Sequence, residues 1–196
     1  PGATHGYYSA PLGRGLQVIA LNAIYYDADN AFRVRDSAAD KRVTGGQFDW
    51  LAAELTAAHA DGRRVVLLTH IPIGSGEATP YYNAALSRAL RDAPEPPLAM
   101  LCGHEHYDHF YLYYADNATE PFASALVPNS VVPSQNFPGF RMYAFDAEAR
   151  RIVDYVQYGC NVTEANRRGS GGCGELYRVG AVYGEAVVST ASLARV

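Results

Sequence analysis

No stretch of this 196-residue sequence approaches the ~20 consecutive apolar residues that a membrane-spanning helix requires, so no transmembrane segment is expected. No secretory leader pattern opens it, and the first residue is Pro1 rather than Met, so the chain reads as a processed product or a piece of a longer protein. Basic charge is not in excess: 16 Lys and Arg stand against 20 Asp and Glu, a net charge of −4. That balance argues against a polyanion held by surface charge, and hence against nucleic acid polymers as partners. Charged residues are few at 18% and hydrophobic ones reach 48%, which excludes a disordered chain and suffices for one domain with a real core. Tryptophan occurs once and cysteine three times, whereas tyrosine occurs 15 times, which suits strands and half-wet clefts.

Two of the three cysteines, Cys160 and Cys173, bracket the Gly-rich segment "GCNVTEANRRGSGGCG". That polar segment buries little and gains from a staple, so a Cys160–Cys173 disulfide is expected. Cys102 lies in an apolar run and reads as a buried thiol. Asn117-Ala118-Thr119 and Asn161-Val162-Thr163 are glycosylation sequons, with Asn161 expected to be exposed. Together these features point to an oxidising compartment: secreted, lysosomal or extracellular.

The hydrophobic pattern predicts strands at 15–22 ("GLQVIALN"), 63–70 ("RRVVLLTH") and 98–106 ("LAMLCGHEH"). Between them, "GQFDWLAAELTAAHADG" reads as a helix, with Phe48, Leu51, Ala52 and Leu55 on one face and Gly62 as its stop. "YYNAALSRALRD" (81–92) reads as a second helix, and the polar stretch 25–46 as a loop. Strand, helix, strand, helix, strand is the pattern of a largely parallel sheet with crossover helices. Further on, "HFYLYYA", "FASALVPNSVV", "FRMYAFD" and "RIVDYVQY" are short strands separated by turns such as "DAEAR", which favours antiparallel pairing. The tail after Cys173 fits helix and strand equally. The fold class is therefore α/β, becoming α+β toward the C-terminal end.

Six histidines are present. His5 reads as a surface residue, His59 as a helix-end residue, and His109 as a loop or core-edge residue held by a hydrogen bond. His70, His104 and His106 differ because each falls at the carboxyl end of a predicted parallel strand, the edge where open α/β sheets bind ligands. Two apart, His104 and His106 would share a face in extended geometry, whereas a turn at Gly103 would splay them. Imidazoles suit zinc, iron, manganese and copper alike.

"HIPIG" and "GHEHYDHF" resemble the last two metal motifs of the calcineurin-like metallophosphoesterases, and most of all their acid sphingomyelinase-like phosphodiesterase branch. "HGYYSAPLGRGLQVIALN", "GGQFDWLAAEL", "YYNAALSRAL", "PGFRMY" and "NVTEAN" are similar to that branch in the same order, from about Gly6 to about Gly184. The resemblance implies the carboxyl half of a two-sheet sandwich flanked by helices, here residues 1–159, with 160–196 as a Gly- and Cys-containing extension. It implies that His70 and His104 bind one ion of a dinuclear pair and His106 the other, with zinc the expected metal and Asp108 supporting the histidine segment. It further implies hydrolysis of a phosphodiester, small or phospholipid, by a hydroxide that two metal ions activate. A nucleotide pyrophosphatase of the same fold is an alternative, and a non-catalytic secreted glycoprotein domain is another. Phe140, Tyr81 and Tyr82 are candidates for a substrate-facing wall, and "VPNSVVPSQNFPGF" for a loop approaching the substrate. Pro133 stands where some members present an aromatic residue, which speaks against a choline-type headgroup.

The sequence departs from the family at its beginning. It contains no Asp-x-His, Gly-Asp or Gly-Asn-His motif, so the bridging carboxylate, an Asn ligand and the acid for the leaving group are absent. No catalytic residue is assigned. The implied partner is the missing N-terminal half of the same protein, and the isolated chain is expected to be inactive.

Overall fold

The structure, a computed structural model, describes residues 5–133, 136–169, 171–184 and 187–196. The chain divides into two compact units, 1–102 and 103–196. The sequence-drawn boundary at 159/160 falls within the last two residues of a strand of the second unit.

In the first unit, β1 (Tyr8–Gly13) pairs antiparallel with β2 (Leu16–Ala20), which runs parallel to β3 (Arg64–Leu68), itself parallel to β4 (Ala99–Leu101). The expected parallel core is thus present, with an antiparallel edge strand that the sequence pattern did not show. β1 is mostly exposed, so it carries no apolar run to read. β2 and β3 are buried on both faces, which is why they appear as continuous apolar stretches.

Helix α2 (Gln47–Ala60) buries Phe48, Leu51, Leu55 and Ala58. Ala52, expected on that face, is exposed; the buried stripe continues to Ala58 instead. Gly62, at φ +65°, follows its end as expected. Helix α3 (Pro80–Arg91) begins with the Thr79 side chain accepting from the Tyr82 amide and with proline at the first position. Tyr82, Ala85, Leu86, Ala89 and Leu90 form its buried stripe. Fully buried Ile19, Leu51, Leu55, Leu67 and Leu86 each contribute ~1.5–3 kcal/mol relative to exposure.

The stretch 25–46, expected to be a loop, contains the end of a 3₁₀ turn (Ala23–Tyr26) and helix α1 (Ser37–Thr44), capped by the Asp36 side chain. Its only buried residues are polar, Asp40 and Thr44, so no apolar period announced it. The Asp40 carboxylate accepts from the hydroxyls of Tyr26, Thr44 and, at 3.3 Å, Tyr81. Those bonds offset the cost of burying it.

In the second unit, β5 (His109–Tyr114) and β6 (Pro121–Val127) form an antiparallel pair. A separate antiparallel sheet has the order β7 (Gly139–Asp146), β8 (Arg151–Cys160), β9 (Cys173–Arg178). The "DAEAR" turn forms as expected, with the Asp146 carboxylate accepting from the amides of Glu148 and Ala149, both at 2.9 Å. Helix α4 (Val162–Arg168) joins β8 to β9, and short helices α5 (Val179–Tyr183) and α6 (Thr190–Leu193) follow. The ambiguous tail therefore holds both strand and helix. Cys160 and Cys173 are directly opposite in the β8–β9 register and form the expected disulfide. Cys102 is buried and outside it.

Candidate functional site

The first unit carries His70. It lies exposed two residues beyond the end of β3 and opens the loop to Gly74, in which Ile71 and Ile73 turn inward. The Tyr82 hydroxyl bonds to the carbonyl of Ile71 at 2.6 Å and to the Thr69 hydroxyl at 2.8 Å. Tyr82 is completely buried, and burial pushes its hydroxyl pKa up. It is therefore not part of a substrate-facing wall, contrary to expectation. Tyr81 is half-buried, packed edge-on to Phe48 and bonded to Asp40, so the first unit's own packing claims it as well.

The second unit opens with the histidine turn. Its backbone is not extended: His104 has φ +73° and His106 φ +63°, and the Glu105 amide bonds back to the Gly103 carbonyl at 2.9 Å. The turn alternative holds, not the shared-face one. Non-glycine residues in left-handed conformation are uncommon, and here two of them flank one residue.

Side chains fix this turn along its length. The Glu105 carboxylate accepts from the Tyr111 hydroxyl at 2.7 Å and pairs with His109 Nε2 at 2.9 Å, while His109 Nδ1 lies 3.1 Å from the Tyr107 carbonyl. His109 is thus the hydrogen-bonded core-edge residue expected. The His106 carbonyl accepts from Asn136 at 3.3 Å. Asp108 accepts from Arg141 Nη2 and, at 2.6 Å, from the Tyr177 hydroxyl.

Arg141 is the hinge of this arrangement. Its side chain is 1% exposed, its Nε donates to Gln157 at 2.9 Å, and its guanidinium sits 4.1 Å from the centre of the Tyr155 ring. Burial works against its charge, but Tyr143, Tyr155 and Asp108 outweigh that and hold its pKa above the usual value. Burial, then the bond to Asp108, pushes the Tyr177 hydroxyl pKa up, so it stays a donor. The sequence reading assigned Asp108 a supporting part and missed Arg141, Tyr155, Gln157 and Tyr177. The available signal was an arginine at an inward position of an alternating strand, which must find a partner.

Phe140 is 53% exposed and stacks on Tyr158 with ring centres 5.0 Å apart. Asn117 is exposed at a turn, with φ +58°. Asn161 is not fully exposed as expected: it caps α4, its side-chain oxygen accepting from the Glu164 amide at 3.0 Å. Residues 134–135 of the loop expected to approach the substrate lie outside the described residues.

Imidazoles are zinc ligands in kind, and the set His70, His104 and His106 fits that metal chemically. It does not make a closed site in number. Among the described residues no group of three or more His, Cys, Asp or Glu side chains is gathered to hold a metal ion. Also among the described residues, no helix is long and apolar enough to cross a membrane.

No family model matches the chain. Curated relatives do, and they share one class: they are named as phosphodiesterases, which are phosphoric diester hydrolases. The chain is a homologue of the sphingomyelin phosphodiesterases and the acid sphingomyelinase-like phosphodiesterases. It is 33% identical over 171 residues to sphingomyelin phosphodiesterase A of Dictyostelium discoideum, covering 84% of this chain and 28% of that protein. It is 27% identical to the human cyclic GMP-AMP phosphodiesterase SMPDL3A, over 84% of this chain and 38% of that protein. The human acid sphingomyelinase-like phosphodiesterase 3b is also 27% identical, over 89% of this chain and 40% of that protein. The chain thus spans well under half the length of these relatives.

Proposed function

We propose that this chain is the carboxyl-terminal part of a metal-dependent phosphodiesterase with the two-sheet metallophosphoesterase fold. The observation that carries the reading is the His104–Glu105–His106 turn, left-handed at both imidazoles and tied down through Glu105, His106 and Asp108. The relatives' names support the same class.

In this reading His70 and His104 hold one zinc ion and His106 a second. Bound zinc supplies a Lewis acid for the phosphoryl oxygens and lowers the pKa of water. The protein's own part is positional. Glu105, bonded to Tyr111 and beside His109, and Asp108, paired with Arg141, hold the turn in its shape. Exposed Phe140, backed by Tyr158, offers an apolar surface for a substrate. A bridging carboxylate, absent from the sequence motifs, has to come from sequence beyond this chain, so Pro1–Val196 alone is expected to be inactive.

Relatives named for sphingomyelin and for cyclic GMP-AMP leave two substrate classes, a phospholipid and a nucleotide diester. The test is to offer the natural-length protein sphingomyelin, a cyclic dinucleotide and a soluble bis-aryl phosphodiester side by side. Failure on all three contradicts the reading.

The disulfide supports a secreted or lysosomal setting. Asn117, on an exposed turn, is then the readier glycan acceptor. Asn161 remains compatible, because a glycan joins the side-chain nitrogen and leaves the capping oxygen free to accept. Treatment with a peptide-N-glycosidase is expected to lower the mass of the secreted protein by one or both glycans. An unchanged mass removes both assignments.

A further inference from the structure

One hydroxyl group bonds to both neighbours of His70, to the side chain of Thr69 and to the backbone of Ile71. The Tyr82 oxygen lies 2.6 Å from the Ile71 carbonyl and 2.8 Å from Thr69 Oγ1. A carbonyl only accepts, so the Tyr82 proton goes to Ile71, and the Thr69 hydroxyl must donate to the phenol oxygen in turn. Residues 69 and 71 are thereby tied to one point, and exposed His70 stands between them.

That point is itself fixed. The Tyr82 ring packs against Tyr26 and Phe48, with centroids 5.4 and 5.9 Å away. The first turn of α3 is set by Thr79 and Pro80. The same helix holds the loop a second time, where the Asn83 side chain accepts from the Gly74 amide at 2.9 Å. A ring alone would satisfy the packing. A fully buried hydroxyl costs free energy unless it is bonded, and both bonds of this one go to the neighbours of His70.

We infer that Tyr82 is the positioning residue for His70, fixing the direction in which its imidazole leaves the end of β3. The inference rests on the reading of His70 as a zinc ligand. Tyr82 touches neither metal nor substrate and acts only through the loop.

The test uses the natural-length protein with zinc alone as the probe, its affinity read by competition with a chromophoric chelator. Tyr82→Phe keeps the ring and removes the hydroxyl. Tyr26→Phe is the control: it removes a buried hydroxyl from the same aromatic cluster, one that bonds to Asp40 and Gln47 instead. Tyr82→Phe is expected to weaken zinc binding by ~10-fold or more, the effect typical of a residue that orients a ligand. Tyr26→Phe is expected to lower the thermal midpoint at least as far while leaving affinity near wild type. Unchanged affinity in Tyr82→Phe, or an equal loss in both variants, overturns the inference. Should Tyr82→Phe not fold, Thr69→Val, which removes one of the two bonds, is read by the same criteria. His70→Ala separates the two levels. If it binds zinc as wild type does, or if the wild type binds none, the proposed site falls and this inference with it. If His70→Ala loses zinc while Tyr82→Phe does not, only the role of Tyr82 is wrong.

Discussion

Replacing His104 or His106 in the natural-length protein is expected to remove phosphodiester turnover and to lower zinc content while the fold survives. Glycine is the replacement of choice. Both positions have left-handed φ, +73° and +63°, which glycine adopts without strain. Glycine also frees the turn, so an alanine variant, which keeps the Cβ of histidine, is run beside it, and a loss shared by both reports the imidazole. Both histidines are half-buried and neither belongs to the apolar core, so the gap left by the imidazole is expected to cost little stability. Residues that merely orient metal ligands cost 10–100-fold when removed, so a direct ligand is expected to cost more than ~100-fold in turnover. Thermal midpoints should stay close to wild type. Retained turnover on a bis-aryl phosphodiester in either variant would remove that histidine from the site.

The second large effect is on stability. Arg141→Met leaves the Asp108 carboxylate, among the described residues, with the Tyr177 hydroxyl and takes the Arg141 donor from the Gln157 side-chain oxygen. Breaking a buried ion pair from one side costs ~3–5 kcal/mol. Asp108 retains 23% exposure, so water recovers part of that and the low end, about 3 kcal/mol, is expected. Against a total stability of ~5–15 kcal/mol this is a large fraction, visible in urea unfolding. Removing the charge on both sides, Arg141→Met with Asp108→Leu, should recover part of the loss, because no charge is then left unpaired. A single-variant cost under ~1 kcal/mol would place the pair among surface ion pairs, which contribute little.

These two predictions mark where sequence reading succeeded and where it stopped. β2, β3, α2 and α3 were legible because their burial is apolar and periodic. Helix α1 was not, because the residues it buries, Asp40 and Thr44, are polar. Strand β1 was not, because an edge strand with exposed residues has no apolar period to show. The histidine expectation rested on strand ends, but the strand expected over 98–106 stops at Leu101, and His104 and His106 lie beyond it in the turn that was one of two alternatives. Left-handed φ at His104 and His106 accompanies bonds through Glu105 and Asp108, and the modest preference of histidine for that region is too weak to announce it. Tyr82 shows the same limit from the other side. A tyrosine pair at the start of a helix looks the same whether it faces solvent or core, and only the stripe formed with Ala85, Leu86, Ala89 and Leu90 turns one of the two inward.

The assignment of these histidines to a metal-dependent phosphodiesterase is tested most directly by hydrolysis of the same three diesters by the natural-length protein before and after removal of its metal by a chelator. Turnover of at least one diester in the range ~1–10³ per second is expected, with its loss when the metal is removed and its return when zinc is restored. Full turnover after the metal has gone, or none before, would contradict the assignment.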